Sequence, residues 1–181
     1  MVYTAEQFQQ VLDAITDDIF KNLIEFLWET GCRPLEARAI EAHHVDLENR
    51  MIVLEVSLNK SKKGQRVIFL TDRAVEIMKV QLDLAGKEKG PIFRNRRGNP
   101  WTKDAIKCRL QRLKAKLGME RLCAYGIRHS YATEGLKNNV DPLSLSILMG
   151  HSDVAMIART YQHLAKNPEF LLEQAKKARR S

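Results

Sequence analysis

The stretch MIVLEVSLNKSKKGQRVIFL, residues 51–70, decides the fold class of this chain. Its two ends, 51–57 and 66–70, are rich in β-branched and other apolar residues, whereas the middle is polar and contains Gly64. This pattern is typical of two antiparallel strands that are joined by a turn. We therefore predict a β-hairpin with a lysine-rich tip.

On the N-terminal side of this hairpin, apolar residues recur at helical spacing. Thr4 and Gln7 form a capping box, which predicts the start of a first helix. A second helix is expected to end at Gly31, because glycine tolerates the left-handed conformation of a helix C-cap. Pro34 suits the first turn of a short third helix, where its missing N–H costs nothing.

The C-terminal side is also helical in its pattern. We predict helices over 72–84, from about Thr102 to Gly118, over 126–137, from Asp141-Pro142 to Gly150, and from Ser152 to Tyr161. No internal repeat and no low-complexity linker interrupts the chain. The predicted fold is mainly α (α+β), a helical domain with a small antiparallel β-sheet near residues 51–70, and we expect residues 1–181 to form a single domain.

The charge of the chain is strongly asymmetric. The formal net charge is +8, yet residues 1–58 carry 4 basic and 11 acidic side chains, whereas residues 59–131 carry 19 basic and 6 acidic ones. A block with so large a positive excess is typical of a surface that binds a polyanion, because basic side chains near phosphates release condensed counterions. A solvated basic face is the other interpretation of the charge alone.

Several classes of protein are disfavoured by the sequence. The cysteines Cys32, Cys108 and Cys123 are odd in number and widely spaced, which predicts neither a disulfide framework nor a zinc site and favours the cytoplasm. No apolar run approaches the roughly 20 residues of a membrane span. The chain contains no Walker-type glycine loop and no HExxH motif, so it predicts neither nucleotide hydrolysis nor metalloprotease chemistry.

The basic and nucleophilic side chains suggest phosphoryl transfer. Arg33 stands at a helix entrance, Arg128 near the start of another helix, and His151 after a glycine, with Tyr161 ten residues later. Transfer of a phosphoryl group needs fixed cations, because negative charge spreads over its non-bridging oxygens. Arginine supplies a planar and permanently charged fork for that purpose.

Four blocks of the sequence resemble those of the tyrosine recombinases, the phage-integrase-like enzymes. They are ETGCRPLEARAI (29–40), SKKGQRVIFL (61–70), AYGIRHSYAT (124–133) and LMGHSDVAMIARTYQHL (148–164). The blocks occur in the order that the family has and span most of the chain. The resemblance implies an enzyme that breaks and rejoins DNA strands through a covalent 3′-phosphotyrosyl intermediate, without a metal or nucleotide cofactor.

The same resemblance assigns roles to five residues. Arg33 and Arg128 would clamp the scissile phosphate, and His151 would form a hydrogen bond to it. Lys62 would protonate the departing 5′ oxygen, although Lys60 and Lys63 lie on the same hairpin tip. Tyr161 would be the nucleophile, and it needs help from neighbouring groups because a free tyrosine has a pKa of about 10.

One position departs from the family pattern. Tyr125 stands three residues before Arg128, where most relatives have a histidine, and a phenol is a poor proton acceptor at neutral pH. We therefore expect Tyr125 to contact phosphate at most as a hydrogen-bond donor. Glu36 and His129 are expected to support the site without touching the substrate.

The resemblance also implies partners and leaves alternatives open. Double-stranded DNA would be the substrate, and the full-length protein would form a homotetramer on it, whereas the isolated domain could be monomeric. Relatives have an N-terminal DNA-clamping domain that these residues lack, and residues 165–181 are candidates for a segment exchanged between subunits. A catalytically silent DNA-binding domain and a relaxing topoisomerase are the competing interpretations.

Overall fold

Helices dominate the part of the chain that the computed structural model describes, which is residues 2–55, 65–86 and 89–151. The helices are α1 (Ala5–Ala14), α2 (Asp18–Thr30), α3 (Pro34–Ala39), α4 (Asp72–Ala85), α5 (Lys103–Lys116), α6 (Ala124–Lys137) and α7 (Pro142–Met149). The strands are β1 (Val45–Asp46), β2 (Met51–Leu54) and β3 (Arg66–Phe69), and a 3-10 turn covers Ala42–His44. The predicted fold class is confirmed.

Three boundaries of the N-terminal helices lie where the sequence predicts them. Thr4 and Gln7 form the capping box of α1, with each side chain bonded to the other residue's backbone N–H. Gly31 ends α2 at a φ of 59°, in the left-handed region. Pro34 occupies the first turn of α3. These local signals therefore fix the direction in which the chain leaves α2 and enters α3.

Helix α2 lies at the centre of the molecule. Its buried apolar residues include Phe20, Leu23, Ile24, Phe26 and Leu27, all at most 1% exposed. It packs against α1, α3, α4 and α6. A helix with so many buried positions is held by tertiary packing more than by its own propensity. The C-terminal end of α2 is therefore a rigid platform for the residues that follow it.

The sheet is antiparallel, with the order β1-β2-β3. In its register Leu54 pairs with Arg66 and Met51 with Phe69, which confirms the two strands of the predicted hairpin. The hairpin tip, with Lys62, lies outside the described residues. Strand β1 was not predicted, because a two-residue strand is too short to show a period. Strand β3 also contacts α7, and this contact places the sheet beside the end of that helix.

Helix α6 begins earlier than the sequence analysis predicts. It starts at Ala124 and not at residue 126, because the sulfur of Cys123 accepts the backbone N–H of Gly126 at 3.3 Å and caps the first turn. Cysteine is not among the usual capping residues, so the sequence gives little signal for this start. The predicted helix from Ser152 to Tyr161, and residues 165–181, lie outside the described residues.

One cysteine and two tryptophans pack inside the fold. Cys32 is fully buried, and burial raises the pKa of its thiol to about 11. Trp101 is 3% exposed and packs against Phe20, and Trp28 stacks on Phe8 with ring centroids 4.0 Å apart.

Across the described residues, no helix is both long and apolar enough to span a bilayer.

Candidate active site

Arg33 precedes α3 and is held by a buried carboxylate. Glu36, which is 2% exposed, accepts the backbone N–H of Arg33 at 2.8 Å and its Nη1 at 2.7 Å. Pro34, at the first position of α3, has no backbone N–H that could compete with Arg33 for the Glu36 carboxylate. The side chain of Arg33 is 30% exposed. Its guanidinium group is therefore fixed on one side and open to solvent on the other.

Arg128 lies on the buried side of α6, and its side chain joins two segments. Its Nη1 donates to the carbonyl of Gly31 at 2.6 Å and its Nη2 to the carbonyl of Met149 at 2.8 Å. The residue is 5% exposed. Burial is the main cause that lowers the pKa of Arg128 to about 10, and the charge of Arg33 is the second cause. The guanidinium group therefore stays protonated at neutral pH.

His151 follows the end of α7. Gly150 closes that helix at a φ of 64°, and the backbone N–H of His151 donates to the carbonyl of Ser146 at 2.9 Å. Burial is the main cause that lowers the pKa of His151 to about 4, and the charges of Arg128 and Arg33 lower it further. Its imidazole is therefore neutral near pH 7. The Nδ1 atom is buried and has no hydrogen-bond partner among the described residues.

Three of the five predicted catalytic residues meet at the end of α7. Arg33 donates from Nη2 to the carbonyl of Gly150 at 2.8 Å, next to the Met149 carbonyl that Arg128 contacts. His151 is the next residue along the chain. Two guanidinium groups and an imidazole, far apart in the sequence, thus share one corner of the fold. Lys62 and Tyr161 lie outside the described residues.

Sequence reasoning missed one member of this group. Arg66 on β3 is only 4% exposed, and its Nη2 donates to the carbonyl of Leu148 at 2.8 Å. Its Nε lies 3.4 Å from Glu36 Oε1, a distance typical of an ion pair. The signal was present in the alternation of the strand, because Arg66 is two positions from the buried Ile68 and so shares its face.

The structure also describes the two remaining candidates on α6. Tyr125, in the first turn, is 56% exposed and lines an apolar cavity of about 400 Å³ together with Leu35 and Lys103. His129 is exposed at the surface, and partial desolvation lowers its pKa, with further lowering by the charges of the N-terminus and of Arg128. Among the residues with described positions, no group of three or more His, Cys, Asp and Glu side chains is placed to hold a metal ion.

Comparison with known proteins agrees with this geometry. The model of the phage integrase family matches residues 2–168. The chain belongs to this family. Among its relatives, the tyrosine recombinase XerA of Saccharolobus solfataricus is 30% identical over 159 residues, an alignment that covers 87% of this chain and 50% of the relative. This phage integrase family member thus spans about half the length of the curated relatives it matches.

Two solved structures show the same fold. The Tn1549 transposon integrase in complex with transposon right end DNA superposes with a TM-score of 0.79 at 20% identity, covering 99% of this chain and 65% of the other. The catalytic domain of bacteriophage HP1 integrase superposes with a TM-score of 0.67 at 19% identity, covering 97% of this chain and 93% of the other. At identities this low, the likeness to these two structures establishes the fold of this chain alone.

Proposed function

We propose that this domain cuts and rejoins DNA strands through a covalent 3′-phosphotyrosyl intermediate, as a site-specific recombinase or integrase. The observation that carries the proposal is the meeting of Arg33, Arg128 and His151 at the end of α7. Among the described residues, the guanidinium groups of Arg33 and Arg66 lie within ion-pair distance of the Glu36 carboxylate and the charge of Glu36 also acts on Arg128, and this local positive excess favours an anion such as a DNA phosphate.

The two arginines would hold the scissile phosphate. Negative charge on its non-bridging oxygens grows in the transition state, and fixed donors lower that barrier because they need no reorganisation. Arg33 has the more accessible guanidinium, whereas Arg128 lies deeper and is anchored to two carbonyls. We therefore assign first contact with DNA to Arg33 and the fixed, dry contact to Arg128.

His151 would act as a neutral hydrogen-bonding group. With a pKa of about 4 the imidazole carries one proton near neutrality, so it donates from one ring nitrogen and accepts at the other. Its Nδ1 is buried and has no hydrogen-bond partner among the described residues. A phosphate held by Arg33 and Arg128 would lie near this ring, because the charges of both arginines act on it.

Tyr161 and Lys62 would complete the reaction, as the family resemblance implies. The phenolic oxygen of Tyr161 attacks the phosphorus and loses its proton, and the bond from phosphorus to the 5′ oxygen breaks. Lys62 gives a proton to that oxygen. The phosphotyrosyl ester keeps the energy of the broken bond, so the reverse reaction rejoins a strand without a nucleotide cofactor.

Three further residues receive supporting roles in this proposal. Glu36 orients Arg33, since it accepts two of its hydrogen bonds. Tyr125, exposed one turn before Arg128, would donate a hydrogen bond to a phosphate oxygen. His129 would support the start of α6 without touching the substrate.

The partners of the domain are also part of the proposal. We infer that residues 1–181 act as one catalytic domain on double-stranded DNA in the cytoplasm, and that the full-length protein works as a homotetramer. Residues 165–181 would be exchanged between neighbouring subunits. The support is the family membership and the DNA that is bound in the Tn1549 integrase structure. The isolated domain would be monomeric and would bind DNA weakly, with strong salt dependence.

The test is covalent trapping on a nicked suicide substrate. Tyr161→Phe removes only the nucleophilic oxygen, so we expect trapping to disappear while DNA affinity changes by less than about threefold. Denaturing gel electrophoresis measures the trapped complex, and fluorescence anisotropy measures DNA binding. Tyr131→Phe is the matched control, because it removes one hydroxyl from a half-buried tyrosine of α6 and should leave trapping unchanged.

Each other outcome has a defined meaning. Trapping by the Tyr161 variant at the parental level would overturn the assignment of the nucleophile. DNA binding without any trapping by the parent domain would favour a catalytically silent DNA-binding domain. Trapping together with relaxation of supercoiled plasmid, but without strand exchange by the full-length protein, would favour the topoisomerase.

A further inference from the structure

The last carbonyls of α7 have an unusual set of partners. The last carbonyls of a helix lack the usual N–H partner from the next turn, although that of Ile147 accepts the N–H of Gly150 at 2.9 Å, and cations are favourable near them because of the helix dipole. Three arginines from three different elements donate to them: Arg66 to Ile147 and Leu148, Arg128 to Met149, and Arg33 to Gly150. The end of α7, and with it His151, is therefore held from β3, from α6 and from the start of α3 at once.

Arg66 makes the deepest of these contacts. Its Nη1 donates to the carbonyls of Val67 at 2.6 Å and Ile147 at 3.3 Å, and its Nη2 to that of Leu148 at 2.8 Å. Its Nε lies 3.4 Å from the Glu36 oxygen that also accepts from Arg33. At 4% exposure it is screened from solvent. Arg66 thus touches both the helix end before His151 and the carboxylate that orients Arg33.

The backbone of Gly150 lies directly against this side chain. A Cβ atom on Gly150 would be 2.5 Å from Arg66 Nε, closer than real Cβ contacts allow. Gly150 also has a φ of 64°, so a side chain would be strained there in any case. The close approach leaves no room for the end of α7 to move toward β3. The position of His151 is therefore set by the position of the Arg66 guanidinium.

We propose that Arg66 is a positioning residue of the candidate active site, which holds His151 and the Arg33–Glu36 pair in the arrangement that a phosphate needs. The inference rests on the proposed function for its meaning, but the geometry that it predicts is measurable without DNA. Arg66 acts through its neighbours and does not touch the substrate.

A purely structural role is the alternative, and the charges around His151 distinguish the two. The charged groups that face His151 in the described residues are Arg128 from α6, Arg33 and Glu36 from α3, and Arg66 from β3. Burial lowers the pKa of His151 most, the charges of the three arginines lower it further, and the charge of Glu36 raises it. Loss of an Arg66 whose guanidinium is held beside the imidazole therefore changes the titration of His151, whereas a general loss of stability does not.

The first experiment is an NMR titration of the His151 imidazole in the folded domain. In Arg66→Met, a side chain of similar length without charge, we expect the pKa of His151 to rise, because one of the positive charges that lower it is gone. The control is Ile68→Ala, because Ile68 is fully buried on the same face of β3 and carries no charge. This control should lower stability and leave the pKa of His151 unchanged.

The second experiment keeps the charge and removes the fork. A lysine at position 66 has a single ammonium group, which cannot bond the carbonyls of Val67 and Leu148 and face Glu36 together. For Arg66→Lys we expect hydrogen exchange of the Gly150 and His151 amides to accelerate at least about tenfold more than that of the core amides of α2. The rate of covalent trapping should fall by about 10-fold to 100-fold, with DNA affinity within about threefold of the parent, because small misplacements of catalytic groups slow the reaction.

The outcomes separate this proposal from the proposed function. A His151 pKa in Arg66→Met equal to the parental value would overturn the positioning role, whatever the DNA activity. If Arg66→Met does not fold, Arg66→Lys decides the matter through the hydrogen exchange of Gly150 and His151, and parental exchange there would also overturn it. A parent domain that does not cleave DNA would count against the proposed function and leave both NMR readouts valid.

Discussion

Two groups of arginines among the described residues each lie near one buried carboxylate, and they differ in how much water reaches them. In the Asp17 cluster, Arg96 and Arg109 donate to the two oxygens of Asp17 at 3.2 and 2.6 Å, and their side chains are 65% and 37% exposed. The Glu36 cluster contains three arginines with side chains that are at most 30% exposed: Arg33, Arg66 and Arg128.

The difference in hydration indicates which cluster is better suited to bind an anion. In the Asp17 cluster, water and salt screen the extra positive charge, and Arg109 also stacks against Phe20 and Trp101, which is a packing role. In the Glu36 cluster, the charges exceed the carboxylate by two, and carbonyl dipoles compensate them more than water does. Electrostatic attraction is stronger where water is excluded, so the Glu36 cluster is the better anion site.

The largest expected effect contrasts one arginine from each cluster. Arg128→Lys keeps the charge but loses the fork that bonds Gly31 and Met149, so the ammonium cannot keep a fixed place beside the phosphate. We expect the rate of covalent trapping to fall on the order of 10³-fold, about 4 kcal/mol of transition-state stabilisation. Single-turnover trapping on the suicide substrate measures the rate.

Arg109→Lys is the control, since it makes the same change in the Asp17 cluster and leaves the net charge of the chain unchanged. Trapping by this variant should stay within about threefold of the parent, because a lysine at position 109 keeps a positive charge beside Asp17 and this pair lies away from the site. Equal losses in the two variants would mean that the Glu36 cluster has no special relation to the chemistry.

The sequence predicted the members of the Glu36 cluster that carry a motif, but not their surroundings. Arg33, Arg128 and His151 were singled out from the blocks around them, and they do meet, although Arg33 and Gly150 are 117 positions apart. Helix starts at Thr4 and Pro34 were predictable because capping is local. A local signal thus fixes each element, and the family pattern told which residues come together.

Arg66 was not predictable in the same way, because its role arises from contacts 81 and 82 positions away. Charge counting treats it as one more member of a DNA-binding surface, whereas the structure buries it. Strand β1 and the sulfur cap of Cys123 were missed for a related reason. Each depends on a partner or a geometry that the local sequence does not specify.

A second contrast tests how tightly the Glu36 cluster is packed. Gly150 and Gly118 both have a positive φ, 64° and 62°, but a Cβ on Gly118 meets nothing within 4 Å, whereas one on Gly150 meets Arg66. Gly118→Ala should cost only the backbone strain, about 1 kcal/mol. Gly150→Ala should cost about 3 kcal/mol, because overpacking against Arg66 adds to the strain. Urea unfolding gives both free energies, and equal values would contradict the tight packing.

The smallest effect is in the pH dependence of stability, where the two clusters respond in different ranges. Burial and the nearby arginines lower the pKa of His151 from 6.5 to about 4, so between these values the unfolded chain binds a proton that the folded chain does not. The stabilisation from neutral His151 is thus complete above pH 6.5 and is lost as the pH falls toward 4. In the Asp17 cluster, burial raises the pKa of the carboxyl, but the hydrogen bond and charge of Arg109 outweigh it and lower the pKa below 3.8, so that contribution is lost only in more acidic solution.

Substitution at each site separates these two contributions. His151→Gln should flatten the decline of the unfolding free energy between pH 6.5 and about 4.5, because one of the residues that take up a proton on unfolding is gone. Asp17→Asn should leave that decline unchanged. His44 and His129, whose pKa values burial also lowers, remain in both variants and so do not affect the comparison. Urea unfolding at several pH values measures the decline, and an unchanged slope in His151→Gln would place that imidazole in water and not in the dry environment that sets the Glu36 cluster apart.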